Sequence, residues 1–309
     1  MNYLKKITAI FLLFLLVSVI TGAILLGLAW YDSYSPTAQE ISKTSVNIPV
    51  STDTPILTSA TPIPIPSPAP ISSLPQLSNI QNFIQTVISS YPQLTWGVSF
   101  IDLNSKNVTN INGNKVFTGA STTKVLIACL LLSQVEAGKY NLDKSINGAT
   151  LKQLLQKMIN QSDNDAWTAL MNFIGFQYQR PYAQRIGIYS YDVVNNRIDP
   201  NDMALLLEQL YTGKLLNQQD TNLLLSYMQH TNNDDLIPPA VPNSIKVYHK
   251  YGSFNNDLHD AAIIDNGKNP FVLTIYSSTG SGTLSYAQRV SVFHKIVTAV
   301  ENADNITTP

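Results

Sequence analysis

The distribution of apolar and polar residues divides the 309-residue chain into three segments of different character. Residues Ile7–Trp30 form an uninterrupted stretch without a charged side chain. Residues Tyr31–Pro75 are rich in proline, serine and threonine. From Gln76 to Pro309 the apolar residues recur at helical and strand spacing, which indicates a folded domain.

The charge-free stretch Ile7–Trp30 is long enough to cross a bilayer as a helix. Lys5 and Lys6 precede it and predict a cytoplasmic N-terminus. A cleaved signal peptide is the alternative, but its apolar core would be shorter and a small-residue cleavage pattern would follow it. We expect residues 1–6 in the cytoplasm, residues 7–30 as an uncleaved transmembrane signal anchor, and a single-pass protein of the cell membrane.

The segment Tyr31–Pro75 contains nine of the 17 prolines of the chain. Proline removes a backbone donor and favours the extended polyproline II conformation. This composition predicts a semi-rigid linker, residues 31–75, rather than a domain. The linker would hold the folded part, residues 76–309, away from the membrane on its extracytoplasmic side.

The folded part shows, in order, one helical pattern, two strand patterns, a helical middle, three strand patterns and a final helical pattern. Its helical patterns are Leu77–Ser90, a helix from Ser121 that Gly138 ends, helices that begin at Thr150 and Pro200, and the segments Asp165–Phe173 and Leu284–Val300. Its strand patterns are Leu94–Leu103, Val108–Ile111, Ser244–Tyr251, Leu258–Asp265 and Pro270–Ser277. The tyrosine-rich stretch Gly175–Arg197 shows no regular pattern. We therefore predict an α+β fold in the broad α/β class: one antiparallel sheet, N- and C-terminal helices, and an inserted helical lobe. A groove at the lobe boundary is the natural place for a site.

The composition narrows the classes of function. The net charge of −1 gives no basic excess, so we expect no nucleic-acid partner. The only cysteine, Cys129, lies in an apolar run and is expected to be a core residue, which excludes a disulfide framework. The histidines lack metal-ligand spacing, so we expect no metal and no cofactor. We expect the protein to be a monomer.

One motif lies at the start of the most apolar helix. Ser121 and Lys124 are three positions apart and would share one face of a helix that continues into Val125–Leu132. A serine within reach of a lysine is a candidate nucleophile and base, and a helix N-terminus favours a developing oxyanion. Taken alone, the same pattern is explained by a capping serine and a solvated lysine.

Two further motifs fall on the predicted lobe boundary. Ser162-Asp163-Asn164 follows a helix, and its ordinary interpretation is a cap for the next helix. Lys250-Tyr251-Gly252-Ser253 ends the first late strand, where a solvated lysine and a glycine turn are the ordinary interpretation.

Together and in this order, Ser-x-x-Lys, Ser-Asp-Asn and Lys-x-Gly are the motifs of class A β-lactamases and penicillin-binding proteins. The chain resembles the class A β-lactamase family of serine hydrolases from Leu77 to Val300. Further similar stretches are Phe117–Lys124, Pro200–Leu216 and His259–Ile264. The resemblance implies the β-lactamase/transpeptidase-like fold and a small β-lactam or peptidoglycan-like substrate.

The resemblance also implies roles for the first two motifs. Ser121 would attack an amide carbonyl, and Lys124 would take its proton. Lys124 must be neutral for this, and burial together with a nearby cation such as Lys250 would lower its pKa. Ser162 would relay a proton to the leaving nitrogen, and Asn164 would bind an amide of the substrate side chain.

The third motif would bind the substrate carboxylate and the oxyanion. Lys250 and Ser253 would bind the carboxylate. The backbone N–H groups of Ser121 and Ser253 would form the oxyanion hole, and Gly252 would let the strand approach closely.

The chain departs from the family pattern most clearly in its omega-loop region. β-Lactamases of the family carry a glutamate there that activates the deacylating water, but Phe176–Pro200 contains none. The glutamates of the whole chain are Glu40, Glu136, Glu208 and Glu301. Asp192 and Asp199 are the acids of that region, and neither fits the pattern. We therefore expect acylation without fast turnover, closer to a penicillin-binding protein than to a resistance enzyme.

Two smaller departures lie in the other motifs. Tyr251 replaces the usual threonine and either crowds the carboxylate pocket or points away from it. Ser121 and Ser162 are 41 positions apart, which indicates a reduced helical lobe. His259 and Asp260 either lie near the groove or are a turn histidine and a strand-capping aspartate.

The expected function is a membrane-anchored, extracytoplasmic serine hydrolase that β-lactams or related amides acylate at Ser121. One alternative is a D-Ala-D-Ala-type peptidase or esterase with the same site. Another is a catalytically silent binding module at the cell surface.

Overall fold

The computed structural model describes residues 74–279 and 284–304, and the helices and strands below lie within those ranges. The α-helices are α1 Leu74–Ser89, α2 Lys124–Glu136, α3 Leu151–Asn160, α4 Asn164–Ile174, α5 Gln179–Arg185, α6 Pro200–Tyr211, α7 Gln218–Tyr227 and α8 Tyr286–Asp304. The strands are β1 Leu94–Asp102, β2 Val108–Ile111, β3 Phe117–Thr118, β4 Ser145–Ile146, β5 Ala149–Thr150, β6 Arg197–Ile198, β7 Lys246–Phe254, β8 Asp257–Asp265 and β9 Phe271–Thr279. Short 3₁₀ turns cover Ala120–Thr123, Phe176–Tyr178 and Pro238–Ala240.

The main sheet is antiparallel throughout and has the strand order β2-β1-β9-β8-β7. Its strands come from both ends of the folded part, and the helices α2 to α7 lie between them in the chain. Strand β7 carries Lys250, Gly252 and Ser253 and forms one edge of this sheet. This arrangement confirms the predicted antiparallel sheet with an inserted helical lobe. Strand β7 packs against the 3₁₀ turn Ala120–Thr123, where the lobe begins.

Apolar side chains fill both faces of the sheet. One core lies between the sheet and the helical lobe, and α2 runs through it with every residue from Lys124 to Leu132 buried, Cys129 among them. The second core packs Ile80, Ile84, Phe293 and their neighbours, from α1 and α8, against the other face. Because α2 is apolar all round, it can lie only in such an interior.

Polar residues at the starts of the lobe helices explain where these helices begin. Thr150 caps α3 in a capping box with Gln153. Asp163 caps α4 through Ala166 N–H, and Asp199 caps α6, which has Pro200 in its first turn. These caps satisfy backbone donors that a helix N-terminus leaves without intrahelical partners.

Several element predictions need correction. Ser121 lies in a 3₁₀ turn, and the α-helix begins only at Lys124. The stretch Gly175–Arg197 was expected to be irregular but contains α5, a short helix whose buried face is carried mainly by Tyr182 and Ala183. Helix α7 was not predicted, because its polar first turn obscures the apolar positions behind it. The first helix begins at Leu74, two residues inside the expected linker.

The expected anchor, residues 7–30, and most of the expected linker lie outside the described residues. None of the helices from residue 74 onward combines the length and apolar character that crossing a bilayer requires.

Candidate active site

A cavity of about 400 Å³ opens between the edge of the sheet and the helical lobe. Four of the predicted site residues line it: Ser121, Lys124, Asn164 and Ser253. The other three predicted residues lie next to these but not in the lining. The remaining lining residues are Thr118, Ala120, Trp167, Val194, Asn195, Asn196 and Phe254.

The 3₁₀ turn Ala120–Thr123 presents Ser121 at the wall of this cavity. Ala120 has a φ of 48°, a left-handed conformation that costs an alanine free energy and persists only where neighbours enforce it. Asn196 enforces it from the opposite loop, because its Nδ2 donates to Ala120 O (2.9 Å) and its Oδ1 accepts from Thr123 Oγ1 (2.7 Å). No local pattern around Asn196 predicts this role.

Lys124 is the first residue of α2 and is only 3% exposed. Its Nζ donates to Ser162 O (2.7 Å) and Asn164 Oδ1 (2.8 Å), and lies 3.4 Å from Ser162 Oγ. Burial lowers the pKa of Lys124 to about 8, although the nearby charge of Asp163 opposes the shift. Among the described residues, these partners are all neutral oxygens, so the neutral form of the amine is accessible near pH 8.

Ser162 joins the helical lobe to the sheet. It adopts a left-handed φ of 54° in the short connection between α3 and α4. Its hydroxyl accepts from Lys250 Nζ (3.0 Å) and lies 3.4 Å from Lys124 Nζ. One hydroxyl therefore bridges two lysines from different parts of the fold, as a proton relay would require.

Lys250 is buried behind Ser162, with 2% of its surface exposed. Its Nζ also donates to Tyr251 O at 3.0 Å. Burial, and then the charge of Lys124, lower the pKa of Lys250 to about 7 against an opposing effect of Asp260. The ordinary interpretation of a solvated lysine at a strand end is therefore wrong at this position.

Asn164 and Asp163 point in different directions and make different contacts. Asn164 lines the cavity and holds Lys124 through its Oδ1, as noted above. Asp163 turns away and accepts from Ala166 N–H at 2.7 Å, which caps α4. The capping interpretation is thus correct for Asp163, while its two neighbours face the lysines.

Gly252 and Ser253 bring the sheet edge against the nucleophile turn. A Cβ on Gly252 would lie 3.0–3.2 Å from Thr122 Cγ2, Thr122 N and Gly119 O, so a side chain there would push the two apart. His249 donates its backbone N–H outward to Met228 O at 2.9 Å. Because N–H directions alternate along a strand, Ser253 N–H also lies on this outer edge, toward the cavity. This geometry agrees with the predicted close approach of β7.

Tyr251 does not crowd the cavity. It is half-buried, packs against the core under α1 and α8, and its ring centre is 5.9 Å from Lys250 Nζ. It is not part of the cavity lining. Of the two alternatives for this departure, the tyrosine that points away is the one observed.

No carboxylate lines the cavity in the part of the chain that the structure describes. Asp192 turns back into its own loop, where Oδ1 accepts from Val194 N–H (2.9 Å) and Oδ2 from Asn195 Nδ2 (2.7 Å). Asp199 is buried as the cap of α6, and burial raises its pKa to about 6. Neither acid of the loop is therefore placed to activate a water in the cavity.

Three apolar side chains of the lining were not predicted: Trp167, Val194 and Phe254. Trp167 follows Asn164 by three residues on α4, and this spacing places both on one helix face. Val194 and Phe254 are 87% and 57% exposed. Large exposed apolar groups around a polar centre suit the apolar part of a ligand.

His259 and Asp260 are neither a turn histidine nor a strand cap. His259 is fully buried in β8, donates Nε2–H to Thr118 O (2.8 Å) and stacks on Tyr276 with ring centres 4.1 Å apart. Burial lowers the pKa of His259 to about 4, so it is neutral and supports the strand before the nucleophile turn. Asp260 binds His249 Nδ1 at 2.9 Å instead.

Comparison with known proteins places this geometry in a family. The model of the beta-lactamase enzyme family matches residues 79–303. A beta-lactamase of Proteus vulgaris is 25% identical over 254 residues, which are 69% of this chain and 94% of that relative.

Solved structures share the fold at lower identity. A mutant of PBP-A, described as an acyl-enzyme complex with penicillin G, is 22% identical over 74% of this chain and 97% of its own, with a TM-score of 0.68. A beta-lactamase from Chitinophaga pinensis is also 22% identical, over 74% of this chain and its full length, with a TM-score of 0.69. The fold is β-lactamase/transpeptidase-like, and the chain belongs to the beta-lactamase enzyme family of class A-like serine hydrolases.

Proposed function

We propose that this protein is a membrane-anchored, extracytoplasmic serine hydrolase that β-lactams or related amides acylate at Ser121 and that releases the acyl group slowly. One observation carries the proposal: the cavity brings Ser121 and Lys124 together, and no carboxylate is part of its described lining. The residues that acylation needs are therefore present, while the carboxylate base that usually serves deacylation is absent from the described lining.

In the acylation step, Ser121 Oγ forms a bond to the substrate carbonyl carbon and the amide C–N bond breaks. Neutral Lys124 takes the Ser121 proton, directly or through a bound water. Ser162, in hydrogen-bond reach of both lysines, passes a proton to the departing nitrogen. The lowered pKa of Lys124, about 8, keeps enough neutral amine for this role in mildly alkaline solution.

The substrate is held from the sheet side. The N–H groups of Ser121 and Ser253 stabilise the oxyanion, since both border the cavity. Ser253 binds the substrate carboxylate. The negative charge of that carboxylate favours the protonated form of Lys250 behind Ser162, so Lys250 becomes its counter-charge when substrate is bound. Trp167, which lines the same cavity, faces the apolar side chain of the acyl group.

Deacylation requires a group that activates water beside the ester. General-base catalysis contributes about 10²–10⁴-fold in rate, and its absence leaves the acyl-enzyme long-lived. The polar residues that the omega-loop region contributes to the cavity lining are Asn195 and Asn196, and their side-chain amides are not bases.

The same observation favours a second candidate, a D-Ala-D-Ala-type peptidase that acts on a peptidoglycan-like substrate. Such an enzyme passes its acyl group to an incoming amine or to water without the omega-loop glutamate. It uses the same nucleophile, so the two candidates differ in substrate and not in site. A cell-surface location suits both, and the charge-free segment Ile7–Trp30 supports it.

The test is covalent labelling of the full-length chain with a fluorescent penicillin, beside Ser121→Ala. We expect stable labelling of the wild type, none of the variant, and a label that persists for hours. An unlabelled wild type overturns acylation by β-lactams and leaves the silent binding module. Rapid loss of label with release of penicilloate overturns slow deacylation.

Location is tested separately. On intact cells, added protease should remove the folded part, and a reporter fused to the N-terminus should stay protected in the cytoplasm. A folded part that resists protease until the cells are lysed would contradict the extracytoplasmic placement.

A further inference from the structure

A second buried ionic group lies on the other side of strand β7 from the lysines. His249 is 1% exposed and stands between two carboxylates. Its Nδ1 contacts Asp260 Oδ1 at 2.9 Å, and its Nε2 contacts Asp234 Oδ1 at 2.9 Å. We call Asp234, His249 and Asp260 the Asp–His–Asp cluster. Among the described residues it takes no part in lining the active-site cavity.

The cluster holds a cationic imidazolium. Burial alone would lower the pKa of His249, but the two carboxylates outweigh it and raise the pKa to about 9. The other titratable groups around it are His230 and Lys246, which line the same cavity, Lys250 on β7, and Asp235, whose carboxylate accepts from Tyr286 on α8. Both ring N–H groups of the cation are used, which only the protonated form allows.

The proton of His249 can exchange with solvent. A separate cavity of about 420 Å³ is lined by Asp234 and His249, together with residues of the loop that precedes β7. Asp234 is 38% exposed there. The charge of the cluster can therefore follow the external pH.

The exposed carboxylate of the cluster organises a connecting loop. Asp234 Oδ1 accepts from Thr231 N–H at 2.9 Å and also from Thr231 Oγ1. The buried carboxylate adds a second tie, because Asp260 Oδ2 accepts from Ile237 N–H at 3.0 Å. The loop between α7 and β7 is thus fixed to the sheet at two points by the cluster.

The same loop holds the backbone that leads into Ser162. Asn232 donates its Nδ2 to Gln161 O (2.9 Å) and its backbone N–H to Asn160 O (3.3 Å). Asn160 Nδ2 in return donates to Gln229 O (3.0 Å), with Tyr227 O and His230 O both at 3.3 Å. Asn160 and Gln161, the two residues that precede Ser162, are therefore hydrogen-bonded to the loop that the cluster fixes.

Ser162 depends on such support. Its left-handed φ of 54° is disfavoured for a serine, so the chain on either side must hold it. Asp163 N–H donates to Lys157 O at 3.1 Å on the following side. The loop supplies the hold on the preceding side.

We propose that the Asp–His–Asp cluster is a positioning device for Ser162, which sets the hydroxyl between Lys124 and Lys250 through the loop Thr231–Asp234 and the residues Asn160 and Gln161. The device works in its protonated form and releases the loop when His249 loses its proton. This inference rests on the proposed acylation at Ser121.

The first test compares two neighbouring carboxylates in the full-length chain. Asp234→Ala removes a partner of His249, and Asp235→Ala removes the same charge one position away, where the partner is Tyr286. Acylation by the fluorescent penicillin at pH 7 should be about tenfold slower in Asp234→Ala and within about twofold of wild type in Asp235→Ala, because small misplacement of a relay group costs rate steeply.

The second test separates positioning from general stability by pH. His249→Gln keeps the size of the side chain but cannot carry the proton. The ratio of wild-type to variant acylation rates cancels the titrations of Lys124 and Lys250, which both proteins share. This ratio should be large at pH 7–8 and fall as the pH passes 9, where the wild type also loses the proton.

The outcomes are distinct. Wild-type rates in Asp234→Ala overturn the inference and leave the proposed function intact. A ratio that stays constant from pH 7 to 10 also overturns it, since a purely structural role has no such pH dependence. If the wild type itself is not labelled, the proposed function fails first. If His249→Gln does not fold, Asp234→Ala, measured over the same pH range, decides the question.

Discussion

The two sides of strand β7 contain buried cations in opposite circumstances. On one side Lys124 and Lys250 share the hydroxyl of Ser162, and both pKa values are lowered, to about 8 and about 7. On the other side His249 lies between Asp234 and Asp260, and its pKa is raised to about 9. The residues are buried to a similar extent, so burial alone does not set the sign.

The difference lies in the neighbours. Burial penalises every charge, and carboxylates within hydrogen-bond distance compensate it for His249. The lysines have neutral oxygen partners and each other, so the more distant charges of Asp163 and Asp260 offset the penalty only in part. His249 therefore keeps its proton to a higher pH than usual, and the two lysines lose theirs at a lower pH than usual. Four predictions test this contrast, from the largest effect to the smallest.

The largest effect on acylation is expected at Lys124, because its neutral amine is the proposed general base. Lys124→Ala should slow acylation by about 10³-fold, or roughly 4 kcal/mol in barrier, because the general base is lost. The measurement is the second-order rate of labelling by fluorescent penicillin. Lys152→Ala, an exposed lysine on α3, is the matched control and should label normally. A Lys124→Ala protein that labels at the wild-type rate would show that another group takes the proton.

The lysine side should gain stability as the pH rises. Lys250 is neutral in the folded protein above pH 7 but stays charged in the unfolded chain up to about pH 10.5, so unfolding takes up a proton in that window. Relative to Lys250→Met, the wild type should gain on the order of 4 kcal/mol in unfolding free energy between these values. Urea titrations across this range measure it, with exposed Lys246→Met as control. A flat difference would mean that Lys250 keeps its charge.

The histidine side should behave in the opposite way. A raised pKa gives stability that is complete below pH 6.5 and is lost as the pH rises through 9, because unfolding releases the proton. The wild type should therefore lose roughly 3 kcal/mol relative to His249→Gln over that window. The same urea titrations apply, with exposed His230→Gln as control. If the difference stays flat over this window instead, the imidazole is neutral in the folded state.

A carboxylate added to the cavity on the lysine side of β7 should supply the base that deacylation lacks. Val194→Glu places one at the exposed wall of the cavity. We expect loss of the penicillin label to become about tenfold faster, at the low end of general-base effects because the position is not optimised. Val194→Gln, of equal size and without charge, is the control and should release the label as slowly as wild type. Equal rates in the two variants would argue against a missing base as the limiting factor.

The main elements and the motifs were predictable from local patterns. The strands β1, β8 and β9 alternate or run largely apolar, and the caps at Thr150 and Asp199 mark where helices start. The proximity of Ser121 and Lys124 follows from their spacing along one turn, while their reaction chemistry was expected from the resemblance that the three motifs carry together. These features depend on residues that are close in sequence, so a single chain carries the signal.

What escaped prediction depends on contacts between distant segments. Asn196 and Thr123 are far apart in the chain, and nothing local marks their hydrogen bond or the left-handed Ala120 that it supports. The Asp–His–Asp cluster likewise joins two strands and a loop. Because sheet register decides which side chains meet, such groups become visible only with the fold.

The lone cysteine of the chain, which lies in helix α2, provides an internal probe of the folded core. Cys129 is fully buried eight residues after Ser121, and burial raises the pKa of its thiol far above the usual range. A thiol reagent can therefore reach it only when the core opens. Alkylation of this single thiol, followed beside penicillin labelling in each variant, distinguishes a protein that has lost its chemistry from one that has lost its fold, without adding a reporter group.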